Sequence, residues 1–232
     1  MRVFAIADLH LSINNPKPMD IFGGAWDNYL EILTKNWKSL ISQDDLVLIA
    51  GDISWAMTLQ EALPDLEYID ALPGKKAIIR GNHDYWWKSI SALRRALPPS
   101  ISAIQNDCVK FGNFLICGTR GWTVPENNQL CSEQDRKIYL REIERLKLTL
   151  NAAAKARAQD DKILLMMHFP PFNSSKTHSD FTRLISQYDV DCVVYGHLHG
   201  KGGNASKKVV LDGIPYYLTS CDKLNNKPLR IY

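Results

Sequence analysis

Five of the six histidines in this 232-residue chain lie beside an Asp, Asn or Gly, at points where short apolar runs end. These histidines are His10, His83, His168, His197 and His199, and the same places hold Asp8, Asp52, Asn82 and Asp84. No cysteine lies near them, and nitrogen and oxygen ligands without thiolate favour Mn²⁺, Fe or Zn²⁺ in a catalytic site over a closed structural zinc. Because this set has more ligands than one ion needs, two metal ions are the simplest interpretation.

The spacing of these residues indicates how they would reach the ions. Asp8-Leu9-His10 and His197-Leu198-His199 each place two ligands two residues apart. In an extended segment such side chains point the same way, so Asp8 and His10 can both reach one cation. Asp52 follows the apolar run Leu46 to Ala50, and its two carboxylate oxygens suit a ligand that bridges two metals. The amide of Asn82 would add a neutral oxygen ligand.

Short apolar runs that alternate with helical patterns must position these ligands. Strands are predicted at Val3 to Ala7, Leu46 to Ala50, Ala77 to Ile79, Ile163 to Met167 and Cys192 to Tyr195. Ligand sites of α/β proteins gather at the carboxyl ends of such strands, which is where the candidate ligands stand.

Helices and hairpins fill the intervals between these strands. Helices are predicted through Trp26 to Leu40, from a capping box at Thr58 and Glu61 or from Pro64, and from a second cap at Ser132. Two hairpins are predicted around the turns Gly112-Asn113 and Asp212-Gly213. The predicted architecture is therefore mixed α/β.

The ordered motifs resemble those of the calcineurin-like metallophosphoesterase superfamily, which run D-x-H, G-D, G-N-H-D/E, H and G-H-x-H. All five occur here between positions 8 and 199. The resemblance implies an α/β (α+β) fold, a two-sheet β-sandwich flanked by helices, with the metal site at the carboxyl ends of the strands. It implies one metal held by Asp8, His10, Asp52 and His199, and a second held by Asp52, Asn82, His168 and His197. It also implies that His83 acts as an acid and that Asp84 orients its ring.

The function implied is hydrolysis of a phosphomonoester or phosphodiester through in-line attack by a hydroxide that bridges two metals. Protein Ser/Thr phosphatases carry G-D-x-V-D-R-G and G-N-H-E, whereas this chain has Gly51-Asp52-Ile53-Ser54-Trp55 and ends its third motif in Asp84. That type of phosphatase is therefore disfavoured. A nuclease of the same superfamily, and a non-catalytic binding or assembly module that retains metals, are the alternatives.

The composition narrows the partners and the compartment. Lys and Arg number 28 against 25 Asp and Glu, and a net charge of +3 is too balanced for a dedicated nucleic-acid-binding module. A small-molecule phosphoester is therefore the expected substrate. Five scattered cysteines and the absence of a long apolar run predict a cytoplasmic protein without a membrane segment. We expect one domain spanning residues 1–232, and the oligomeric state is open.

Three residues are candidates for substrate contact. Arg120, before Gly121 at the end of a hairpin strand, is placed to meet a substrate phosphate or to be an exposed loop arginine. Trp86 and Trp122 are candidates to stack on a base or aryl group, with core packing as the favoured alternative. The segment from Thr119 to Ser132 is a candidate specificity loop.

Overall fold

Two β-sheets, five α-helices and two short 3₁₀ helices (Asp20–Phe22 and Gly24–Trp26) form the structure, a computed structural model that describes residues 1–126, 132–200 and 206–232. The strands of these ranges are β1 (Val3–Ile6), β2 (Leu46–Ile49), β3 (Lys75–Ile78), β4 (Ile101–Ala103), β5 (Cys108–Phe111), β6 (Phe114–Thr119), β7 (Lys162–Met167), β8 (Val190–Tyr195), β9 (Lys208–Leu211), β10 (Ile214–Leu218) and β11 (Leu229–Arg230). Their helices are α1 (Tyr29–Leu40), α2 (Leu59–Asp70), α3 (Ile90–Ala96), α4 (Glu133–Ala156) and α5 (Asp180–Ile185).

Both sheets are mixed. The first has the strand order β11-β1-β2-β3-β4, in which β1 to β4 are parallel and β11 is antiparallel. The second has the order β5-β6-β7-β8-β10-β9, with four parallel strands inside and the antiparallel β5 and β9 at its edges. The two predicted hairpins are thus confirmed as β5-β6 and β9-β10.

Alternating side chains on the strands separate the layers. On β1, Val3 and Ala5 pack against side chains of the second sheet such as Ile116 and Leu164, whereas Phe4 and Ile6 pack in the cluster that contains α1, α2 and α3. The outer face of the second sheet packs against α4 and α5. The order is therefore helix, sheet, sheet, helix, which confirms the two-sheet sandwich flanked by helices.

Helix caps follow the sequence signals closely. The Thr58 side chain accepts a hydrogen bond from the Glu61 backbone, and the Glu61 side chain accepts one from the Thr58 backbone, so the capping box is present. Because this box satisfies the Glu61 and Thr58 N–H groups at a helix start after Thr58, α2 begins at Leu59 and runs through Pro64, and the alternative start at Pro64 is wrong. Ser132 caps α4 by accepting a hydrogen bond from the Asp135 N–H.

Within the described ranges, no helix is both long and apolar enough to cross a membrane. Four of the five cysteines, Cys108, Cys117, Cys192 and Cys221, are free thiols. Cys131 lies outside the described residues.

A buried carboxylate ties the start of β1 to the turn before β2. Asp45 accepts hydrogen bonds from the Arg2 N–H at 2.8 Å, from the Arg2 guanidinium, and from the Ser42 N–H and hydroxyl at 2.9 and 2.8 Å. Burial alone would raise the pKa of Asp45, but these donors lower it well below its usual range. The ionised carboxylate is therefore stabilised in the folded protein.

We expect Asp45→Asn to lower the free energy of unfolding at pH 7 by about 1–3 kcal/mol, because the Arg2 and Ser42 donors lose a charged acceptor. The depressed pKa means that this stabilisation is full above the unfolded-state value of about 4 and is lost as pH falls through the folded value. Urea unfolding at several pH values measures it, with the exposed neighbour Asp44→Asn as the matched control. A difference between wild type and Asp45→Asn that stays constant below pH ~4 would contradict this assignment.

Candidate metal centre

All seven predicted metal ligands converge where parallel strands of both sheets end. Asp8 and His10 follow β1, Asp52 follows β2, Asn82 follows β3, His168 follows β7, and His197 and His199 follow β8. Ligand atoms of Asp8, His10 and His199 lie within 4.8 Å of one another, as do those of Asp8, Asp52 and His168. The Asn82 Oδ1 lies 2.7 Å from His168 Nε2 and 3.0 Å from His197 Nδ1. Sequence motifs from Asp8 to His199 thus form one cluster.

The backbone reaches this geometry through left-handed residues. Asp8, His10, Asp52 and His197 have φ values of 58°, 47°, 50° and 71°. The expectation that each D-x-H or H-x-H pair lies on an extended segment is therefore wrong. A non-glycine residue held in this region costs about 1–3 kcal/mol, and such strain concentrates at functional sites. Backbone hydrogen bonds hold the turns, with the Asp8 and His10 N–H groups donating to the Gly51 and Asp52 carbonyls, both at 3.0 Å.

Two motif glycines are required by close approach. A Cβ on Gly81 would overlap the carboxylate and the backbone nitrogen of Asp52. A Cβ on Gly196 would lie 2.6 Å from the Ala7 Cβ and 2.7 Å from Asp8 Oδ2. The glycine that precedes a ligand in these two motifs therefore allows ligand-bearing loops from different strands to touch.

Hydrogen bonds from the protein orient the ligands. His168 Nδ1 bonds the Ala50 carbonyl at 3.0 Å, which leaves Nε2 directed toward Asp52 Oδ2 at 3.4 Å and toward Asn82. The His197 N–H donates to both oxygens of Asp8, and the His83 N–H donates to Asp52 Oδ1 at 2.8 Å. Such outer contacts hold ligand atoms in place before a metal binds.

The donor set fits metal ions. Both ring nitrogens of His10 and the Oδ2 of Asp52 are buried and have no hydrogen-bond partner. Burial, with a smaller contribution from the Asp52 charge, raises the pKa of Asp8 to about 7. Buried carboxylates next to unpartnered imidazole nitrogens are stabilised by a cation, since it supplies the positive charge and the bonds that they lack. The residues present therefore suit one or more metal ions.

The pKa values of His10 and His197 agree with ligand roles, whereas that of His168 is shifted the other way. Burial lowers the pKa of His10 to about 3 and that of His197 to about 4, so both rings are neutral at pH 7, the form that binds metals. At His168, burial is more than offset by the Asp52 charge, and the pKa rises to about 9. His168 in turn outweighs burial at Asp52 and lowers the pKa of that carboxyl.

The contacts of Asp84 differ from those that the resemblance implies. Its carboxylate is fully buried and accepts hydrogen bonds from the N–H groups of Ile53, Ser54 and Gly81 and from the Trp86 indole. None of these donors belongs to His83. Asp84 therefore joins the loops after β2 and β3, and the structure does not support the expectation that it orients the His83 ring.

Aromatic residues that the sequence analysis did not select surround the histidines. Trp55 stacks on His10, with ring centroids 4.6 Å apart, and also contacts the His83 ring at 4.8 Å. Trp26 contacts His10 and His199 edge-on at 6.0 and 6.1 Å. Trp55 comes three residues after Asp52, and that proximity is the only sequence signal that pointed to it.

A turn near the end of the chain also braces the site. The Cys221 thiol donates to the Asp8 carbonyl at 3.0 Å, and Asp222 accepts a hydrogen bond from the Gly200 N–H at 2.7 Å. No motif marks this turn, so the sequence analysis missed it.

The three candidate substrate contacts have different environments. Trp86 is 1% exposed, so its ring is not available for stacking, and core packing, the favoured alternative, describes it. The Arg120 guanidinium bonds buried Glu142 at 3.2 Å and lies over the Trp122 ring at 4.9 Å. Trp122 is half-buried and contacts Phe169 at 5.3 Å. Of the candidate specificity loop, residues 127–131 lie outside the described residues.

The model of the calcineurin-like phosphoesterase family matches residues 1–201. The chain belongs to this family. The matched residues include all seven converging ligands, and membership supports a hydrolase.

Two curated proteins are similar in sequence. One, named "Probable cyclic nucleotide phosphodiesterase", from Coxiella burnetii, is 25% identical over 208 residues that cover 86% of this chain and 76% of that protein. The gene 66 protein of Mycobacterium phage L5 is 39% identical over 80 residues, which cover 34% of this chain and 37% of the phage protein.

Solved structures share the fold. The phosphopantetheinyl hydrolase of Mycobacterium tuberculosis aligns over 99% of this chain and 95% of its own, with a TM-score of 0.62 and 17% identity. A protein of Thermus thermophilus aligns over 99% of this chain and 97% of its own, with a TM-score of 0.58 and 12% identity. At these identities the likeness concerns the sandwich alone.

We expect Gly81→Ala to displace Asp52, because the added Cβ meets its backbone and not only a flexible side chain. Mn²⁺ affinity, measured by calorimetry, should fall by about 10–100-fold while the fold persists by circular dichroism. Gly24→Ala is the control, since its Cβ would meet only the Asp27 carboxylate at 3.3 Å. Unchanged affinity in Gly81→Ala would refute the close-approach argument.

Proposed function

We propose that this chain is a binuclear-metal-dependent phosphoesterase that hydrolyses a small-molecule phosphoester, and that residues 1–232 act as one catalytic domain. The observation that carries the proposal is the buried Asp and His cluster, whose unpartnered ligand atoms converge at one edge in a chain of the calcineurin-like family. Contacts from Cys221 and Asp222 to this edge support inclusion of the C-terminal segment in the same domain.

We assign one metal to Asp8, His10, Asp52 and His199 and the other to Asp52, Asn82, His168 and His197. Mn²⁺, Fe and Zn²⁺ suit this set of nitrogen and oxygen donors. When bound, such ions supply positive charge for the phosphoryl oxygens and make water acidic enough to attack near neutral pH. The protein supplies Asp52 between the two sets, held by the His83 N–H at 2.8 Å.

His83 is the proposed acid. Its backbone is anchored to Asp52, and its ring lies on Trp55, 5.7 Å from the His10 ring, so it borders the ligand cluster without being one of the ligands. A protonated imidazole at that position would donate a hydrogen bond or proton to the leaving oxygen, a contribution worth about 10²–10⁴-fold in rate. The Trp55 ring packs against the His83 ring at 4.8 Å and would limit its rotation, which is the task that sequence reasoning gave to Asp84.

A small-molecule substrate is favoured over nucleic acid by the balanced charge of +3. The similarity to a protein named as a probable cyclic nucleotide phosphodiesterase favours a diester over a monoester. The alternative of a non-catalytic module that retains metals predicts tight metal binding without turnover.

Turnover of chelator-treated protein, with and without added Mn²⁺, tests the proposal on p-nitrophenyl phosphate and bis-p-nitrophenyl phosphate. We expect hydrolysis only with metal, and the preferred compound separates a monoesterase from a diesterase. Two bound metals with no turnover of either compound or of a panel of natural phosphoesters would favour the non-catalytic module.

For Asp52→Asn we expect metal affinity and kcat to fall together, kcat by about 10²-fold or more, because one side chain serves both ligand sets. Metal content by elemental analysis and turnover at saturating Mn²⁺ measure the two effects. Asp160→Asn, at an exposed position, is the matched control. Full activity with both metals retained in Asp52→Asn would eliminate the bridging role.

For His83→Ala we expect kcat to fall by about 10²–10⁴-fold while both metals stay bound, because the ring lies beside the cluster and is not assigned to it. His178→Ala is the control, since that histidine is exposed and matches no motif. Loss of metal from His83→Ala would show that the division of roles is mistaken.

A further inference from the structure

A cavity of about 530 Å³ opens directly beside the metal ligands, with His197 and His199 in its wall. Its size falls within the range of about 300–1,000 Å³ that is usual for pockets that bind small organic molecules. A group joined to a phosphoryl unit at the metal ligands would enter this cavity.

Apolar side chains, three of them with aromatic rings, form part of the cavity wall. Its apolar lining consists of Val124, Phe169, Pro170, Phe172, Tyr195 and Leu198. The Phe169 ring lies 4.1 Å from the His197 ring, and the Phe172 ring contacts Tyr195 edge-on at 5.5 Å. The Phe169 contact makes the aromatic wall continuous with the ligand cluster. An apolar ring would be desolvated there at little cost.

The rim carries one fixed acceptor and one fixed donor. Glu126 accepts hydrogen bonds from the Ser174 N–H at 2.9 Å and from the Ser174 hydroxyl at 2.6 Å. These bonds lower the pKa of Glu126, so it is a carboxylate at pH 7 with lone pairs to spare. The Lys176 ammonium donates to the Ser206 hydroxyl at 2.6 Å and keeps two other protons.

We propose that this cavity binds the organic group of the substrate, and that this group is a planar ring with N–H donors on its edge, as in a nucleobase. The proposal rests on the proposed function, because the hydrolysed phosphoryl unit is placed at the metal ligands. Glu126 accepts from the ring edge, and the side chains of Val124, Pro170 and Leu198, which are half-buried or exposed, pack against its face.

The charges of the rim disfavour a second phosphate as the occupant. Glu126 would repel it, and Lys176 is the only cation in the cavity wall among the described residues. A plain alkyl group would fill the apolar interior but leave Glu126 without a ligand donor. The ring with N–H groups is the class that uses both parts of the cavity.

Two inhibitors with the same phosphate test the proposal on the Mn²⁺-loaded protein. Adenosine 5′-monophosphate carries a base, and ribose 5-phosphate lacks it. We expect the first to inhibit hydrolysis of bis-p-nitrophenyl phosphate at a concentration at least about tenfold lower, since stacking of a base contributes that much or more. Equal inhibition constants would overturn the proposal.

Two variants locate the effect in this cavity. Val124→Trp adds an indole that narrows the cavity and should bring the ratio of the two inhibition constants close to one, whereas Leu148→Trp, at a position 56% exposed on α4, should leave the ratio unchanged. Glu126→Gln keeps the shape and should reduce the ratio by about 3–10-fold, with exposed Glu133→Gln as its control. A ratio that stays the same in both cavity variants would place the base elsewhere and overturn the assignment.

Calorimetry of inhibitor binding, set beside the turnover assays, distinguishes failure of this proposal from failure of the proposed function. Preferential binding of adenosine 5′-monophosphate with no turnover of any phosphoester would support the cavity and overturn the hydrolase. Metal-dependent turnover with equal affinity for the two inhibitors would support the hydrolase and overturn the cavity.

Discussion

The burial of Asp8 and Asp52 side by side is the constraint on which the rest of this structure depends. Both carboxylates have almost no exposed surface, and burial drives the pKa of Asp8 up to about 7. Two such groups are tolerable only with nearby positive charge or donors, which here are His168, backbone N–H groups and, by our proposal, metal ions. The fold therefore places buried negative charge at one edge of the sandwich, and the protein's own cations and hydrogen-bond donors do not fully neutralise it.

The arrangement of the two sheets explains why the candidate ligands lie together at one edge. Parallel strands carry their carboxyl ends to one edge, and stacking one sheet on the other brings two such edges together. The first sheet provides Asp8, Asp52 and Asn82, and the second provides His168 and His197. Left-handed turns and glycines then allow the loops to touch. The backbone strain of the left-handed residues is offset by the packing of three large apolar clusters.

Chemistry and selectivity are built by different segments. The metal ligands follow strands in the centres of both sheets, whereas most of the cavity wall comes from the connections after β6 and β7; His197 and His199 belong to both. Changes in Val124 or Glu126 would alter the cavity without moving a strand end. Such a division is expected where a rigid scaffold holds the reaction and its loops choose the substrate.

Local sequence signals determined the candidate ligands, the helix caps and the hairpins, because each depends on residues close together in the chain. Their order, by resemblance, also predicted the sandwich. Tertiary structure alone decided that Asp84 holds backbone N–H groups, that Trp55 supports His83, and that the turn at Cys221 braces Asp8. It also replaced the predicted extended ligand segments with left-handed turns. Contacts between segments more than 200 residues apart leave no periodic or local signature, since they form only when two sheets stack.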